Sequence, residues 1–146
     1  MQSCIFCKIV RGEAPAHRVY EDECVIVFLD IFPVSAGHTL VVTKAHYADL
    51  FEADAAALVA VAAVAKKVAH ALRAVVRPAG LMVFQLNGAA AGQTVFHYHM
   101  HLMPRAEGEP LRLHARQAGD PQELAELAAK LRAALAASEG SMQGQG

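Results

Sequence analysis

Residues 96–102, FHYHMHL, constrain the fold more than any other part of the sequence, because histidine occupies every second position. Successive side chains of a β-strand point to opposite faces, so this spacing predicts a strand with His97, His99 and His101 on one face. The other face then carries only apolar or aromatic residues, which are Phe96, Tyr98, Met100 and Leu102. A face with three imidazoles needs an explanation.

Three explanations of the histidine face are open. The first is a solvated strand face that is rich in histidine by chance. The second is a metal site, but the outer Cα atoms of such a strand lie about 13 Å apart, so two rings can reach one ion and three cannot without distortion. The third is an extended anion such as phosphate. Because histidine can be a nucleophile or a proton donor near neutral pH, phosphoryl or nucleotidyl transfer is the favoured chemistry.

The elements around this strand indicate an α+β fold. Residues 19–42 alternate short apolar runs with turn signals and predict three strands. A long central helix over residues 54–76 follows, since apolar residues recur there at spacings of three and four. Residues 81–88 and 94–105 read as two more strands, and Asp120-Pro121 begins a C-terminal helix. We expect a five-stranded, mainly antiparallel sheet with one long central helix and a C-terminal helix.

Length and charge narrow the class of protein. The 146 residues suit one domain, which we place at residues 1–140, with a flexible tail at 141–146. The longest wholly apolar run has eleven residues, fewer than the ~20 that a membrane span needs, so no membrane partner is expected. A net charge of -1 without a dense basic block argues against nucleic acid. The N-terminal segment lacks the apolar core of a secretory signal, which favours the cytoplasm.

The pair Cys4 and Cys7 is open to three interpretations: a redox motif, half of a zinc site, or two unrelated buried thiols. A redox role is disfavoured because no strand precedes the pair. A structural zinc site needs two further nitrogen or sulfur ligands from elsewhere in the chain. The remaining cysteine, Cys24, is expected to be a small core residue.

Four segments, in order, resemble the histidine triad nucleotide-binding proteins. They are CIFCKIVRGEAP at residues 4–15, FLDIFPVSAGHTLVV at 28–42, NG at 87–88 and GQTVFHYHMHLMPR at 92–105. The last contains the family signature of three histidines separated by single apolar residues. The resemblance implies a homodimer that binds a purine nucleotide or nucleoside phosphoramidate.

The resemblance also implies a mechanism. His99 would attack the α-phosphorus and form a transient histidine-nucleotidyl intermediate, which water hydrolyses to an AMP-type product. His101 would contact the phosphoryl oxygens and assist proton transfer to the leaving group. Gln93 and Thr94 would hold the phosphate, and His38 would lie near it, although a histidine at a strand start can also be purely structural.

Further residues match the family's nucleoside contacts. Asp30 would accept hydrogen bonds from both ribose hydroxyls, and Asn87 would contact the sugar and phosphate. The base pocket would be apolar and consist of Ile5, Phe6, Ile9, Phe28 and Ile31, although each of these could equally be ordinary core.

A zinc site is implied in the same way. Bacterial family members complete the cysteine pair with two histidines, which here are His46 and His97, so structural zinc at Cys4, Cys7, His46 and His97 is expected and no catalytic metal. Thr43 stands where the family commonly has proline, which should loosen the strand end. The N-terminal CIFCKIV favours the nucleoside phosphoramidate hydrolase branch; a dinucleoside polyphosphate hydrolase, and a non-catalytic nucleotide-binding or zinc-stabilised interaction module, are the alternatives.

Overall fold

The structure is a computed structural model that describes residues 4–144. Among those residues it contains three α-helices, five strands and a 3-10 turn at Ala89–Ala91. In chain order they are α1 (Ile5–Val10), β1 (Arg18–Glu21), β2 (Val25–Leu29), β3 (Thr39–Thr43), α2 (Ala55–Val76), β4 (Gly80–Phe84), β5 (His99–Arg105) and α3 (Pro121–Gly144).

The strands form one antiparallel sheet in the order β1-β2-β3-β5-β4. The predicted five-stranded α+β fold is therefore confirmed. In the centre, β5 pairs with β3 so that His101 lies opposite Leu40 and His99 lies opposite Val42. On its other side β5 pairs with β4, where Phe84 lies opposite His101. Strands β3 and β4, which are far apart from each other in the sequence, thus lie on either side of the β5 histidines.

The two faces of the sheet carry separate apolar clusters. Because side chains alternate along β2, Val25, Val27 and Leu29 pack against α2 and α3. Ile26 and Phe28 face the opposite way and pack against α1. Directly opposed residues share a face, so the partners of Leu40 and Val42 on β5, the histidines, point to the α1 face. The alternation predicted from the sequence therefore directs His99 and His101 away from the main core.

The apolar stripe predicted for the central helix is present in α2. By length and composition α2 could cross a membrane, a test that core helices of soluble proteins also pass. Here Val61, Val68 and Leu72 are fully buried in the core cluster, and the outer face carries Lys66, Lys67 and Arg73. The helix ends at Val76 because Arg77 adopts the left-handed conformation with φ 53° and Pro78 follows. These contacts place one face of α2 in the core of the described residues.

The structure differs from the sequence predictions at four places. The short helix α1 was not predicted. The strand β5 begins at His99 and not at Thr94, so His97 is not part of the histidine face of the strand. Residues 94–98 lie outside the strand, and the Tyr98 N–H bonds to the Tyr47 carbonyl. Cys24 is exposed, so its expected core role is wrong. Helix α3 continues to Gly144, into the segment predicted to be a flexible tail, and residues 145–146 lie outside the described range.

Candidate functional site

A cavity of about 490 Å³ opens on the α1 face of the sheet. Its polar lining residues are Asp30, Thr94, His99, His101 and His114, and its apolar wall includes Ile5, Phe6, Ile9, Phe28 and Ile31. No lysine or arginine lies among the lining residues. An anion in this cavity would therefore be held by neutral N–H donors and protonatable rings, not by permanent cations.

The tautomer of His99 is fixed by the backbone. Its Nδ1 lies 2.6 Å from the His97 carbonyl oxygen, and because a carbonyl only accepts, Nδ1 carries the proton. The lone pair of the neutral ring is then at Nε2. Burial lowers the pKa of His99, which keeps the ring neutral near pH 7, and the Phe6 ring packs edge-on at 5.0 Å between centroids. His99 thus has the protonation state of a nucleophile.

A backbone amide sets the tautomers of His38 and His101 in the same way. The Val34 N–H donates to His38 Nδ1 at 3.2 Å, so the proton of the neutral His38 ring is on Nε2. This Nε2–H lies 2.9 Å from His101 Nδ1 and donates to it. His101 must then carry its own proton on Nε2. The Nε2–H of His101 is therefore a hydrogen-bond donor that the contact with His38 does not use.

Burial keeps both of these rings neutral. It lowers the pKa of His38 to about 4 and that of His101 to about 2. The contact of 3.7 Å between His38 Nε2 and Asp30 Oδ2 is consequently not an ion pair at neutral pH. Burial also raises the pKa of Asp30, whose Oδ1 accepts the Phe32 N–H at 2.9 Å. Oδ2 of Asp30 is therefore the oxygen available to a ligand hydroxyl.

Asp30, His38 and His101 also place three potential metal ligands within 4.8 Å of one another. The tautomers argue against a metal there. His38 Nδ1 already accepts the Val34 N–H, so Nε2 is protonated and has no lone pair for an ion. The hydrogen bonds from Val34 to His38 and from His38 to His101 are consistent with two neutral rings and need no metal ion.

The cavity collects most of the predicted nucleotide-binding residues. The five predicted base-pocket residues line it together, with Phe6 and Phe28 in edge-to-face contact at 5.3 Å. Ile5 and Ile31 remain 45% and 51% exposed, which is apolar surface that a flat ring could cover. Asp30 lines the same cavity, so one ligand could contact both the apolar wall and a carboxylate.

Three predicted site residues, His38, Asn87 and Gln93, are not among the lining residues; His38 lies behind the site, in contact with Asp30 and His101. The Gln93 side chain is buried and accepts from the Gly88 N–H while donating to the Ala48 and Val95 carbonyls. Asn87 accepts from the Leu50 N–H and exchanges hydrogen bonds with Gln85. Both amides therefore hold the loop before β5 in shape. Thr94, by contrast, lines the cavity.

Cys4, Cys7, His46 and His97 form a second cluster behind Phe6, with one ligand atom of each within 4.8 Å of the others. His97 Nδ1 lies 3.4 Å from Cys4 Sγ, 3.5 Å from Cys7 Sγ and 3.2 Å from His46 Nδ1; Cys7 Sγ lies 3.2 Å from His46 Nδ1. A tetrahedral zinc ion with ordinary bond lengths has edges of about 3.5 Å for S···N and about 3.3 Å for N···N. The donor set and its spacing fit zinc.

The surroundings of this cluster support the same fit. His97 Nε2 lies 2.6 Å from the Thr43 carbonyl oxygen, which places the proton on Nε2 and leaves the Nδ1 lone pair toward the sulfurs. Thr43 also donates its hydroxyl to the Ala45 carbonyl and its N–H to the Tyr98 carbonyl. The strand end expected to be loose at Thr43 is thus tied to the segment that carries His97.

Two residues in ring contact with His101 escaped the sequence reasoning; His114 lines the cavity, and Phe84 is not among its lining residues. His114 lines the cavity from the segment after β5, where no motif marks it. Phe84 stacks on His101 with ring centroids 4.3 Å apart and planes 7° from parallel. The register of β4 against β5 places Phe84 there, and that register was not predictable from the two strand segments alone.

Comparisons with known proteins agree with this geometry. The HIT domain profile matches residues 11–108. The protein named Hit of Bacillus subtilis is 50% identical over 105 residues, which are 71% of this chain and 72% of that protein. The adenylylsulfatase HINT3 of Arabidopsis thaliana is 43% identical over 77% of this chain and 60% of its own length. A zinc-bound histidine triad family protein from Mycobacterium smegmatis superposes with a TM-score of 0.84 at 41% identity, covering 96% of this chain and 98% of that one.

Proposed function

The chain belongs to the HIT domain family, and from this premise we propose that it is a nucleotide-binding hydrolase or transferase that acts at the α-phosphate of purine nucleotides. Its substrates would be nucleoside phosphoramidates or adenylate-type compounds, and its product would be an AMP-type monophosphate. The observation that carries the proposal is the tautomer of His99, because the His97 carbonyl holds the proton at Nδ1 and leaves a nucleophilic Nε2 in a cavity-lining ring.

A nucleotide would contact both the apolar wall and the polar residues of the cavity. The base would lie on the apolar wall that includes Phe6 and Phe28, and Asp30 Oδ2 would accept from the ribose hydroxyls. The phosphate would then lie near Thr94, His99 and His101. Because anionic phosphate stabilises a nearby cation, the bound substrate would raise the pKa of His101 and favour its imidazolium form. In that form His101 Nδ1 would donate to His38 Nε2, and the His38 proton would move to Nδ1 in place of the contact with the Val34 N–H.

The reaction would proceed in two displacements at phosphorus. In the first, the His99 Nε2 lone pair forms a bond to the α-phosphorus. The bond to the leaving group breaks with its electron pair, and the leaving atom takes the proton of His101 Nε2. In the second, water attacks phosphorus and gives a proton to His101, while the electron pair of the P–N bond returns to His99. The His97 carbonyl stabilises the positive charge that His99 carries in the intermediate.

We further propose a structural zinc ion held by Cys4, Cys7, His46 and His97, the group whose spacing fits a tetrahedron. Zinc would fix helix α1, and with it Ile5, Phe6 and Ile9, against the sheet. In a reducing compartment cysteine pairs serve as metal ligands more often than as disulfides, so this site is consistent with the proposed cytoplasmic location. A homodimer is proposed from the resemblance and from the edge strand β4, where Val83 is 52% exposed.

Replacement of His99 by alanine tests the proposed function. His99→Ala should keep AMP binding and lower AMP release from an adenosine phosphoramidate by roughly a thousandfold or more, as expected for loss of a nucleophile. His70→Ala, which changes an exposed histidine on α2 outside this cavity, is the matched control and should behave like the original chain. Turnover by His99→Ala would exclude covalent catalysis at this residue. Tight nucleotide binding without turnover in the unmutated chain would instead favour a non-catalytic binding or interaction module. Preferential cleavage of dinucleoside polyphosphates would favour a dinucleoside polyphosphate hydrolase.

A further inference from the structure

Phe84 lies against His101 because of the register of the last two strands. The two residues are directly opposite each other in the pair of β4 and β5, and directly opposed residues share one face of the sheet. Their rings are stacked, with centroids 4.3 Å apart and planes 7° from parallel. Phe84 is half-buried and is not among the residues that line the cavity. Any effect of Phe84 on a bound nucleotide would therefore pass through His101.

The stacked arrangement leaves both nitrogens of His101 free to form hydrogen bonds. The N–H bonds of an imidazole lie in the plane of the ring, whereas Phe84 covers only one face of that plane. Nδ1 keeps its contact of 2.9 Å with His38 Nε2, and Nε2 stays available to a leaving group. Rotation of the His101 ring about its Cβ–Cγ bond would break the parallel stack. Phe84 thus holds the plane of the ring without occupying either nitrogen.

The imidazolium form of His101 needs contacts that compensate for burial, which lowers the pKa of this ring to about 2. Besides Phe84, the groups that face the ring are titratable side chains from four places: His99 on the same strand, His38 before β3, Asp30 after β2 and His114 after β5. Strand β4 itself, GLMVF, carries no charged side chain. The neighbouring histidine rings offer no negative charge to a cation. The aromatic face of Phe84 does offer negative potential, at stacking distance.

We propose that Phe84 is a positioning residue whose aromatic face stabilises the imidazolium form of His101 and fixes the plane of that ring for proton transfer. This inference rests on the function proposed above. A cation over an aromatic face is attracted by the π system, whereas a neutral imidazole gains only packing. In the first step the proton of His101 Nε2 passes to the leaving atom and the ring becomes neutral. In the second step a proton from the attacking water restores the imidazolium.

Three substitutions of phenylalanine separate this role from ordinary packing. Phe84→Leu keeps a large apolar side chain but removes the aromatic face, and Phe84→Tyr keeps the face. Phe51→Leu makes the first of these changes at a phenylalanine that is 87% exposed and outside the cavity, and it is the control. The pKa of His101 is measured by NMR titration of its ring in the complex with AMP, and the signal is assigned by its loss in His101→Gln.

Phe84→Leu should lower the pKa of His101 in the AMP complex by about half a unit to one unit, which above that pKa is a loss of about threefold to tenfold in the imidazolium form. Phe84→Tyr and Phe51→Leu should leave the pKa unchanged. The neighbouring titratable side chains are the same in all of these variants, so the difference reports the aromatic face alone. An unchanged pKa in Phe84→Leu, or an equal fall in Phe84→Tyr, overturns the inference.

Single-turnover kinetics give a second readout. An amine leaves phosphorus only with a proton, whereas p-nitrophenolate leaves without one. Near neutral pH, Phe84→Leu should slow formation of the nucleotidyl-protein by about threefold to tenfold from an adenosine phosphoramidate, and by less than about twofold from the p-nitrophenyl ester of AMP. Equal slowing with both substrates overturns the inference, because lost packing would then explain it. If the original chain forms no nucleotidyl-protein, the proposed function fails, whereas the titration with AMP still decides whether Phe84 stabilises the imidazolium.

Discussion

At the scale of single residues, the site is organised by backbone groups that dictate where ring protons lie. The Val34 N–H, the His97 carbonyl and the Thr43 carbonyl each contact one nitrogen of a buried imidazole. As a result His99 presents a lone pair, His101 presents an N–H, and His97 presents a lone pair to the two cysteines. Three chemically identical side chains on one short segment acquire three different roles because their neighbours differ.

The pH dependence of stability tests the buried neutral state of His38. Its pKa is about 4 in the folded chain against about 6.5 in the unfolded chain, so the unfolded state binds more protons between these values. Stability from this ring is present above pH 6.5 and is lost as the pH falls, by roughly 2 kcal/mol between pH 6.5 and 4.5. Urea unfolding of the original chain and of His38→Asn should show a smaller pH dependence in the variant. Equal pH dependence would mean that His38 is not held neutral by burial.

At the scale of elements, helix α1 couples the thiol cluster to the cavity. Cys4 caps the helix and Cys7 lies within it, while Phe6 and Ile9 on the same helix are buried against β2 and β3. Six residues make a helix too short to be stable alone, so its position depends on these contacts and on the cluster behind it. Helix α1 and its N-cap therefore carry both a part of the apolar wall and two of the four proposed zinc ligands.

Removal of the thiols should weaken nucleotide binding from a distance. Cys4→Ser with Cys7→Ser is expected to abolish the zinc content measured by metal analysis and to raise the Kd for AMP about tenfold, a change of ~1.4 kcal/mol. Cys24→Ser, which replaces an exposed thiol, is the control and should change neither quantity. Unchanged metal content in the double variant would refute the proposed zinc ligands, and unchanged AMP affinity after metal loss would refute the coupling.

Local pattern was sufficient to predict β1, β2, β3, α2 and the start of α3, because periodicity, caps and turn residues lie within each segment. Long-range contacts were not predictable in this way. The run from Phe96 to Leu102 alternates throughout, yet β5 begins only at His99. Just before it, the Tyr98 N–H bonds to the Tyr47 carbonyl in a loop, and the His97 side chain bonds to the Thr43 carbonyl at the end of β3. The same limit hid His114, whose place in the cavity depends on a contact with Gly92, 22 residues earlier.

At the scale of the whole molecule, one side of the sheet is closed and one edge is open. Helices α2 and α3 cover one face, and Leu131 and Val68 are fully buried where the helices and sheet pack together. The edge strand β4 is different, because Val83 is 52% exposed although every residue of β2 and β3 is buried. An apolar residue on an open edge is suited to pairing with a second copy.

The proposed homodimer can be tested at this edge. Sedimentation equilibrium should give twice the chain mass for the original chain, and Val83→Lys should shift the equilibrium toward the monomer because it places a charge on the pairing edge. Leu111→Lys, at an apolar position in the segment after β5 that is 72% exposed, should leave the mass unchanged. A monomeric original chain would contradict the dimer; an unaffected Val83→Lys dimer would place its interface elsewhere.

The central claim, that His99 bonds to phosphorus, is tested most directly by intact-mass measurement of the protein quenched within one turnover of an adenosine phosphoramidate. The account predicts a transient mass increase of one nucleotidyl group, localised by peptide mapping to His99 and missing in His99→Ala. Turnover with no nucleotide bound to the protein, or with the nucleotide on another residue, would contradict it.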